Sequence, residues 1–381
     1  MLYWLYETLK NDSNRSFFEK ASNVLQYQTF RSLTAGLLAM FATLVIGNRI
    51  ILKLLSLKMG QPIRTAEEVR QLHALHEGKK GTPTMGGIMI LLTLIIATLL
   101  CANLKNPLVW VVLYVTVSLG LLGFWDDYLK VSKKNSKGVS GKTKLAVQFA
   151  VAASAGLFIF LRNPEFYGKL WLPFLKTPVI HGGGWMNMAF FILLFAGVIV
   201  GSSNAVNLTD GLDGLAIGCT IPTALTYAVF CYLTGNHKTA DYLLLPHNLE
   251  TAEVAIVGFA LLGSAMGFLW FNCAPARVFM GDTGSLAIGG AIGSIAICCK
   301  QEMLLLIVGF VFVAEALSVM LQVAYFKYTR RKYGEGRRLL RMSPLHHHFE
   351  LAGWKETQVV VRFWILSVVC ALAGLATLKL R

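Results

Sequence analysis

The sequence predicts an all-α, polytopic integral membrane protein with about ten membrane-spanning helices. Three observations carry that expectation. Of 381 residues, 55% are hydrophobic and only 14% charged, a balance too apolar for a soluble domain of this length; mean hydropathy is +0.58. Apolar runs of about 20 residues recur along the chain, the length a helix needs to cross roughly 30 Å of hydrocarbon and too long for barrel strands. Finally, short polar segments containing Asp punctuate those runs. An Asp at the centre of a membrane helix costs about 2.5–3.5 kcal/mol, so acids near membrane depth are retained mainly for chemistry, ion binding or transport.

Taken in order, residues 1–20 scatter Glu, Asp and Lys among aromatics without a basic segment ahead of an apolar one, so they do not read as a cleavable signal. The first run, 33–55, leads into a loop with Arg64, Arg70, Lys79 and Lys80, which its basic excess assigns to the cytoplasm. A Gly81-Thr-Pro-Thr-Met-Gly-Gly87 turn opens the second run, 88–104. The third starts at Pro107 and is expected to close on Phe124-Trp-Asp-Asp127. Lys130, Lys133, Lys134, Lys137, Lys142 and Lys144 make the next loop cytoplasmic as well, and run four is 145–161. Pro164, Pro173, Pro178 and Gly182 to Gly184 then mark a turn-rich outer segment with room for a short hairpin.

Run five, 185–203, returns the chain to Asn204-Ala-Val-Asn-Leu-Thr-Asp-Gly-Leu-Asp-Gly-Leu215, where two carboxylates and two amides sit at a helix end. Run six, 215–233, leaves again, and the 234–253 loop has only Lys238 as a basic residue. Run seven, 254–271, delivers a second polar segment, Asn272 to Ser285, to the same side. Run eight, 286–299, is rich in Gly and Ala, as tightly packed membrane helices are. Run nine, 303–325, carries Glu315 in its middle, readable as a satisfied polar group inside the bundle. The loop after it is the most basic of the chain (Lys327, Arg330, Arg331, Lys332, Arg337, Arg338, Arg341) and ends in Ser343-Pro-Leu-His-His-His-Phe-Glu350 before run ten, 359–378. Ten spans put both termini outside and gather the Asp segments at the cytoplasmic face of one transmembrane catalytic domain covering 1–381.

The net charge of +15 does not point to nucleic acid, because the basic residues concentrate in loops between spans and follow the positive-inside pattern. The seven cysteines lie mostly inside apolar runs without metal-type spacing and read as small hydrophobes.

Asp126, Asp127, Asp210, Asp213 and Asp282 fall in three different segments on one side, beside loops rich in Lys and Arg. Mg²⁺ prefers hard oxygen ligands shared among a few carboxylates, water and substrate phosphates. Carboxylates for the metal, cations for phosphate oxygens and a dry edge for a lipid are what transfer onto a lipid phosphate requires. Each member alone has a plainer reading. Asp210 and Asp213 suit a cap for the following helix, and Asp282 between Gly281 and Gly284 suits a cap or an anion-binding nest. Asp126 and Asp127 at a helix C-terminus are electrostatically unfavourable, which argues for a cation nearby. Of His346 to His348, adjacent positions diverge, so at most two converge on one ligand; His73 and His76 read as solvated surface.

The segments Gly81 to Gly87, Phe124 to Asp127, Asn204 to Leu215, Phe279-Met-Gly-Asp-Thr-Gly-Ser285 and Pro344 to Glu350, in this order, resemble the polyprenyl-phosphate N-acetylhexosamine-1-phosphate transferases. The histidine motif, with Gly353, Trp354 and Glu356 behind it, looks like the bacterial branch that uses UDP-N-acetylmuramoyl-pentapeptide. The resemblance implies transfer of the phospho-sugar from UDP to undecaprenyl phosphate with Mg²⁺, giving lipid I and UMP in peptidoglycan synthesis, at the bacterial cytoplasmic membrane. It implies Asp282 as principal metal ligand, with Asp126 and Asp127 beside the metal and lipid phosphate, and Asp126 in preference as the base. It also implies a nucleoside pocket of Asp210, Asp213, Asn272 and Phe279, with Phe279 stacking on uracil and Asn207 near the diphosphate. Lys79 or Lys80, Lys142 and Lys144 would hold phosphates, Thr84 would join the substrate site, and His346 and His347 would meet the sugar-phosphate side. A homodimer is a further implication. Direct attack is favoured over a phospho-enzyme, because a phosphate monoester is already mostly ionised near neutral pH.

The nearest alternative is a sibling transferase using UDP-N-acetylglucosamine, which shares the aspartate motifs and differs in the histidine loop. A cation-coupled transporter is a more distant one, since its site belongs near the midplane among broken helices.

Overall fold

A computed structural model describes residues 3–4, 23–57, 81–133 and 138–380. Lys79 and Lys80 lie outside the described residues, as do His73 and His76. Among the described residues nine helices are long and apolar enough to span a membrane, and Gly87–Cys101 is a shorter apolar one. They coincide with the ten expected runs. We number the helices used below α1 (Gln28–Ser56), α2 (Gly87–Cys101), α3 (Pro107–Ser132), α4 (Gly141–Arg162), α5 (Gly184–Thr209), α6 (Leu215–Gly235), α7 (Thr251–Asn272), α8 (Gly281–Cys298), α9 (Phe310–Tyr333), α10 (Leu345–Leu351) and α11 (Glu356–Ala376). The outer segment between α4 and α5 contains the expected hairpin, β1 (Lys169–Leu170) antiparallel to β2 (Ile180–His181).

Several boundaries differ from expectation: α1 starts at Gln28, α2 stops at Cys101, α5 runs past Ser203 to Thr209, and α8 starts at Gly281. The third helix does not close on Asp127 but runs on to Ser132; Lys130, one turn beyond Asp126, neutralises its carboxylate at 2.6 Å, so the acids do not end the helix. Run nine is not continuous either: a turn at Leu305–Val308 and Gly309 precede α9, which extends to Tyr333.

The axis of the bundle is α8, in which every residue from Thr283 to Cys298 is buried. Its composition explains why. Gly289 and Gly293 lie against the α5 backbone at Ser202, Ser203 and Ile199, and Gly290 receives Leu119 of α3. Ser202 and Ser203 then donate their hydroxyls to the carbonyls of Gly289 (2.7 Å) and Leu286 (3.0 Å). Small residues thus exchange side-chain bulk for close backbone approach, the main source of helix cohesion where lipid is the solvent. The outer helices carry the complementary pattern: Leu33, Leu37, Phe41 and Val45 of α1 are exposed at intervals of four, an apolar stripe suited to lipid.

The far end of α8 is closed by a buried ion pair, Lys300 to Glu302 at 2.6 Å, with the ammonium over the rings of Phe191 (5.0 Å) and Phe195 (5.1 Å). Both side chains are fully enclosed. Removing one partner strands the other charge, so Lys300→Ala is expected to lose about 3–5 kcal/mol. The thermal midpoint in detergent checks this, and a midpoint equal to wild type would refute it.

Candidate active site

At the near end of α8, two helices bring three acids together. Asp126 and Asp127 come from α3, Asp282 from the first turn of α8, and carboxylate oxygens of all three lie within 4.8 Å of one another. The approach is possible because Gly123, one turn before Asp127, has no side chain: a Cβ there would sit 2.1 Å from the Asp282 carbonyl oxygen. Likewise Gly87 at the start of α2 lies directly on Gly284.

The three acids do different work. Asp127 caps α8 from across the bundle: its carboxylate accepts the backbone N–H of Asp282 (3.2 Å) and of Thr283 (2.9 Å) and the Thr283 hydroxyl (2.8 Å). That satisfies donors that no side chain of the local chain reaches. Asp126 accepts the Val139 N–H at 2.7 Å, which folds the start of α4 over the site. Asp282 is the most solvent-accessible of the three and is held by Asn207 of α5 at 2.7 Å, whose amide also donates to Ser285. The partial positive charge at the N-terminus of α8 favours an anion at this position.

Two ammonium groups balance the acids. Lys144 is 2.7 Å from Asp282 and 3.9 Å from Asp126; Lys130 is 2.6 Å from Asp126, 3.1 Å from Asp282 and 4.0 Å from Asp127. Lys142 stands exposed in the first turn of the same helix as Lys144. Lys130 escaped the reading of the sequence, where it counted only as loop charge. Its i,i+4 spacing from Asp126 on one helix was the available signal. This set of hard oxygens, close enough to share one ion and already paired with cations, fits a divalent metal. Thr84 is buried beside it: a Cβ on Gly281 would lie 2.6 Å from Asp127 Oδ2 and 2.9 Å from Thr84 Oγ1.

The 210–214 segment does not cap α6 through its acids. Gly214 occupies that position with φ +78°, a left-handed conformation that only glycine takes without strain. Asp213 instead accepts the Ala276 N–H at 3.0 Å, while its own N–H goes to Glu356 at 3.0 Å. Asn272 is buried, with its carbonyl accepting from Gly214 N and its amide donating to Val278 O, so it braces two loops against each other. Phe279 is half-buried, and its backbone joins the Pro83 and Gly86 turn.

Half-buried Asp210 is the loop acid nearest the cluster in charge terms. Burial first, then the negative charges of Asp282, Asp127 and Asp213, push its carboxyl up to about 8. A carboxyl raised in the fold binds its proton where the unfolded chain has lost it, so stability falls as pH rises from about 4 to 8. In chelator-treated protein the thermal midpoint is therefore expected to drop between pH 6 and 8, as stability changes by at most the ~1.4 kcal/mol per pH unit of one proton held only in the fold. Asp210→Asn is expected to flatten that slope; an unchanged slope would remove the assignment.

Of the three histidines, His346 is buried, with Nδ1 3.2 Å from Glu315 and Nε2 against Gly211, while His347 meets Glu350 at 2.8 Å. His346 therefore touches the 210–214 loop, whereas His347 points to its own helix.

The profile of glycosyl transferase family 4 matches residues 109–300, and a phospho-N-acetylmuramoyl-pentapeptide-transferase signature matches residues 79–91. Proteins called phospho-N-acetylmuramoyl-pentapeptide-transferase are similar along nearly the whole chain. That of Methylacidiphilum infernorum is 50% identical over 94% of this chain and 96% of its own length. Those of Caulobacter vibrioides and Syntrophus aciditrophicus are 49% and 46% identical, each over the full length of both chains.

Proposed function

The chain belongs to the phospho-N-acetylmuramoyl-pentapeptide transferases, and from that premise we propose how its residues carry the reaction. Phospho-N-acetylmuramoyl-pentapeptide passes from UDP to undecaprenyl phosphate, giving lipid I and UMP. The observation that supports this assignment of residues best is the convergence of Asp126, Asp127 and Asp282 from two helices, threaded by Lys130 and Lys144. Asp282 would be the principal ligand of Mg²⁺, with Asp126 and Asp127 beside it, and the bound ion supplies charge neutralisation on the diphosphate.

The remaining work falls to side chains. An oxygen of the lipid phosphate forms a bond to the β-phosphorus of the donor, and the bond from that phosphorus to the bridging oxygen breaks, so UMP leaves with that oxygen. Lys130 and Lys144 turn from carboxylates to phosphate oxygens as the diphosphate enters, and Lys142 at the exposed rim draws it in. Asp126 takes any proton the lipid phosphate still carries. Asp127 serves by holding α8, since both of its oxygens are occupied by that helix. Asn207 fixes the rotamer of Asp282. Phe279 stacks on uracil beside Asp210, while Asp213 and Asn272 shape the nucleoside pocket through the backbone they hold. Thr84 completes the floor near Asp127, His346 acts on the sugar-phosphate side through the 210–214 loop it is buried against, and His347 reaches that side by leaving Glu350. The basic segments around Lys144 and Arg330 to Arg341 support a site on the cytoplasmic face of the bacterial inner membrane, with both termini outside. A homodimer remains part of this reading.

The test is UMP release by detergent-purified protein with undecaprenyl phosphate, comparing UDP-N-acetylmuramoyl-pentapeptide with UDP-N-acetylglucosamine, with and without Mg²⁺. Metal-dependent release from the pentapeptide donor only is expected. Release from the simpler sugar would move the chain to the sibling activity, and metal-independent release would sink the ligand assignment.

A further inference from the structure

We propose that Glu315 is a positioning residue of this site, the anchor that sets the histidine helix α10 against the 210–214 loop. Its carboxylate is fully buried in α9, where an acid is expensive. It has found two donors across the bundle: Oε2 accepts the Leu345 N–H at 2.8 Å and Oε1 the His346 N–H at 3.2 Å. These are the first amides of α10. That helix starts after Pro344, whose side chain offers no cap, so Glu315 satisfies donors that the local chain leaves open. The same Oε2 lies 3.2 Å from Nδ1 of His346, close but without the alignment of a hydrogen bond, so the carboxylate holds the ring through the backbone at its base.

The other edge of that ring completes the connection. A Cβ on Gly211 would sit 2.2 Å from His346 Nε2, so the imidazole occupies the space that glycine leaves open, next to Asp210. Contact is thus unbroken from α9 through Glu315 and His346 to the 210–214 loop. The loop is also held from α11, by Glu356 on the Asp213 N–H and by Trp364 on the Gly214 carbonyl at 3.0 Å. Those ties do not involve Glu315. Removing its charge therefore releases the register of α10 and His346 without unfastening the loop from the bundle, which is a positioning effect rather than a general loss of fold.

The kinetic part of the test rests on the transferase reading; the exchange part does not. Glu315→Gln keeps the shape but leaves one acceptor for two amides and no charge for the ring. It is expected to lower kcat for UMP release about 10–100-fold, with KM for undecaprenyl phosphate within about twofold and a near-wild-type thermal midpoint. Backbone hydrogen exchange over 345–351 should accelerate in the same variant. Glu315→Ala should lose more than Glu315→Gln, Glu315→Asp should recover part of the Ala loss, and Gly211→Ala, which displaces His346 from its other side, should reproduce the kcat signature. Wild-type kcat and exchange in Glu315→Gln would overturn the proposal, as would losses that simply follow the thermal midpoint. If the wild-type chain releases no UMP from the pentapeptide donor, the transferase reading fails instead, and the exchange rates over 345–351 alone decide whether Glu315 anchors α10.

Discussion

Replacing Asp282 by alanine is expected to lower UMP release by at least about 10³-fold while the protein stays folded. The two halves of that expectation have separate causes. Activity goes because Asp282 is the acid with the most solvent access of the three and the partner of Lys130, Lys144 and Asn207 at once. Without it the two α3 acids face the diphosphate site alone, and Asp127 is committed to the N-terminus of α8. The fold survives because both ammonium groups keep Asp126 within reach, at 2.6 and 3.9 Å. What is lost is a set of charge-assisted hydrogen bonds at a partly accessible position, about 1–3 kcal/mol. Initial rates and a thermal midpoint on the same preparation check it. Activity above a few per cent of wild type would require another acid to be the main ligand.

Gly123→Ala is expected to be at least as damaging although it adds only a methyl group. Its Cβ would lie 2.1 Å from the Asp282 carbonyl oxygen, 2.4 Å from the carbonyl carbon and 2.6 Å from Thr283 N. All three are backbone atoms, so no rotamer change relieves the contact and α3 must move away from α8. Overpacking in a close-packed core costs about 1–3 kcal/mol or more. The functional loss is larger, since a shift of about 1 Å between reacting groups costs roughly 10²-fold. The shift would act between Asp126 and Asp127 on one helix and Asp282 on the other. A control at Gly290, which meets the mobile end of Leu119 rather than backbone, should be milder in both respects. Equal effects at the two positions would argue against the backbone contact as the cause.

The spans were legible because length and apolarity are what a bilayer demands, and neither depends on partners. The acids were legible as a set for a related reason: charge at membrane depth is rare enough to stand out. Their individual duties were not. That Asp127 caps a helix 155 positions away depends on α3 crossing α8 at Gly123, a tertiary fact absent from any local pattern. Asn272 reads as a pocket residue in the chain, yet both ends of its amide are taken up by Gly214 and Val278. Lys130 was hidden by its neighbours, since a cation serving topology and one serving an active site look alike in a basic run. Glu315 stood out as an acid in an apolar stretch, but nothing near it named α10, 30 residues on, as its partner.

The near end of α8 also bears on how the enzyme can be blocked and how it can escape. Gly87 and Gly123 bring α2 and α3 backbone to backbone with the start of α8 at Gly284 and Asp282, while Gly281 leaves space for the Asp127 and Thr84 side chains, and none of the four has room for a side chain of its own. A blocking ligand whose fit depends on where this buried floor sets Asp282 would read a geometry that point substitution cannot remodel without pulling α3 and α2 off α8. One that leans on Phe279 or Lys142 instead would contact side chains that can be exchanged. Resistance should therefore accumulate around the rim of the site and leave its glycine floor unchanged.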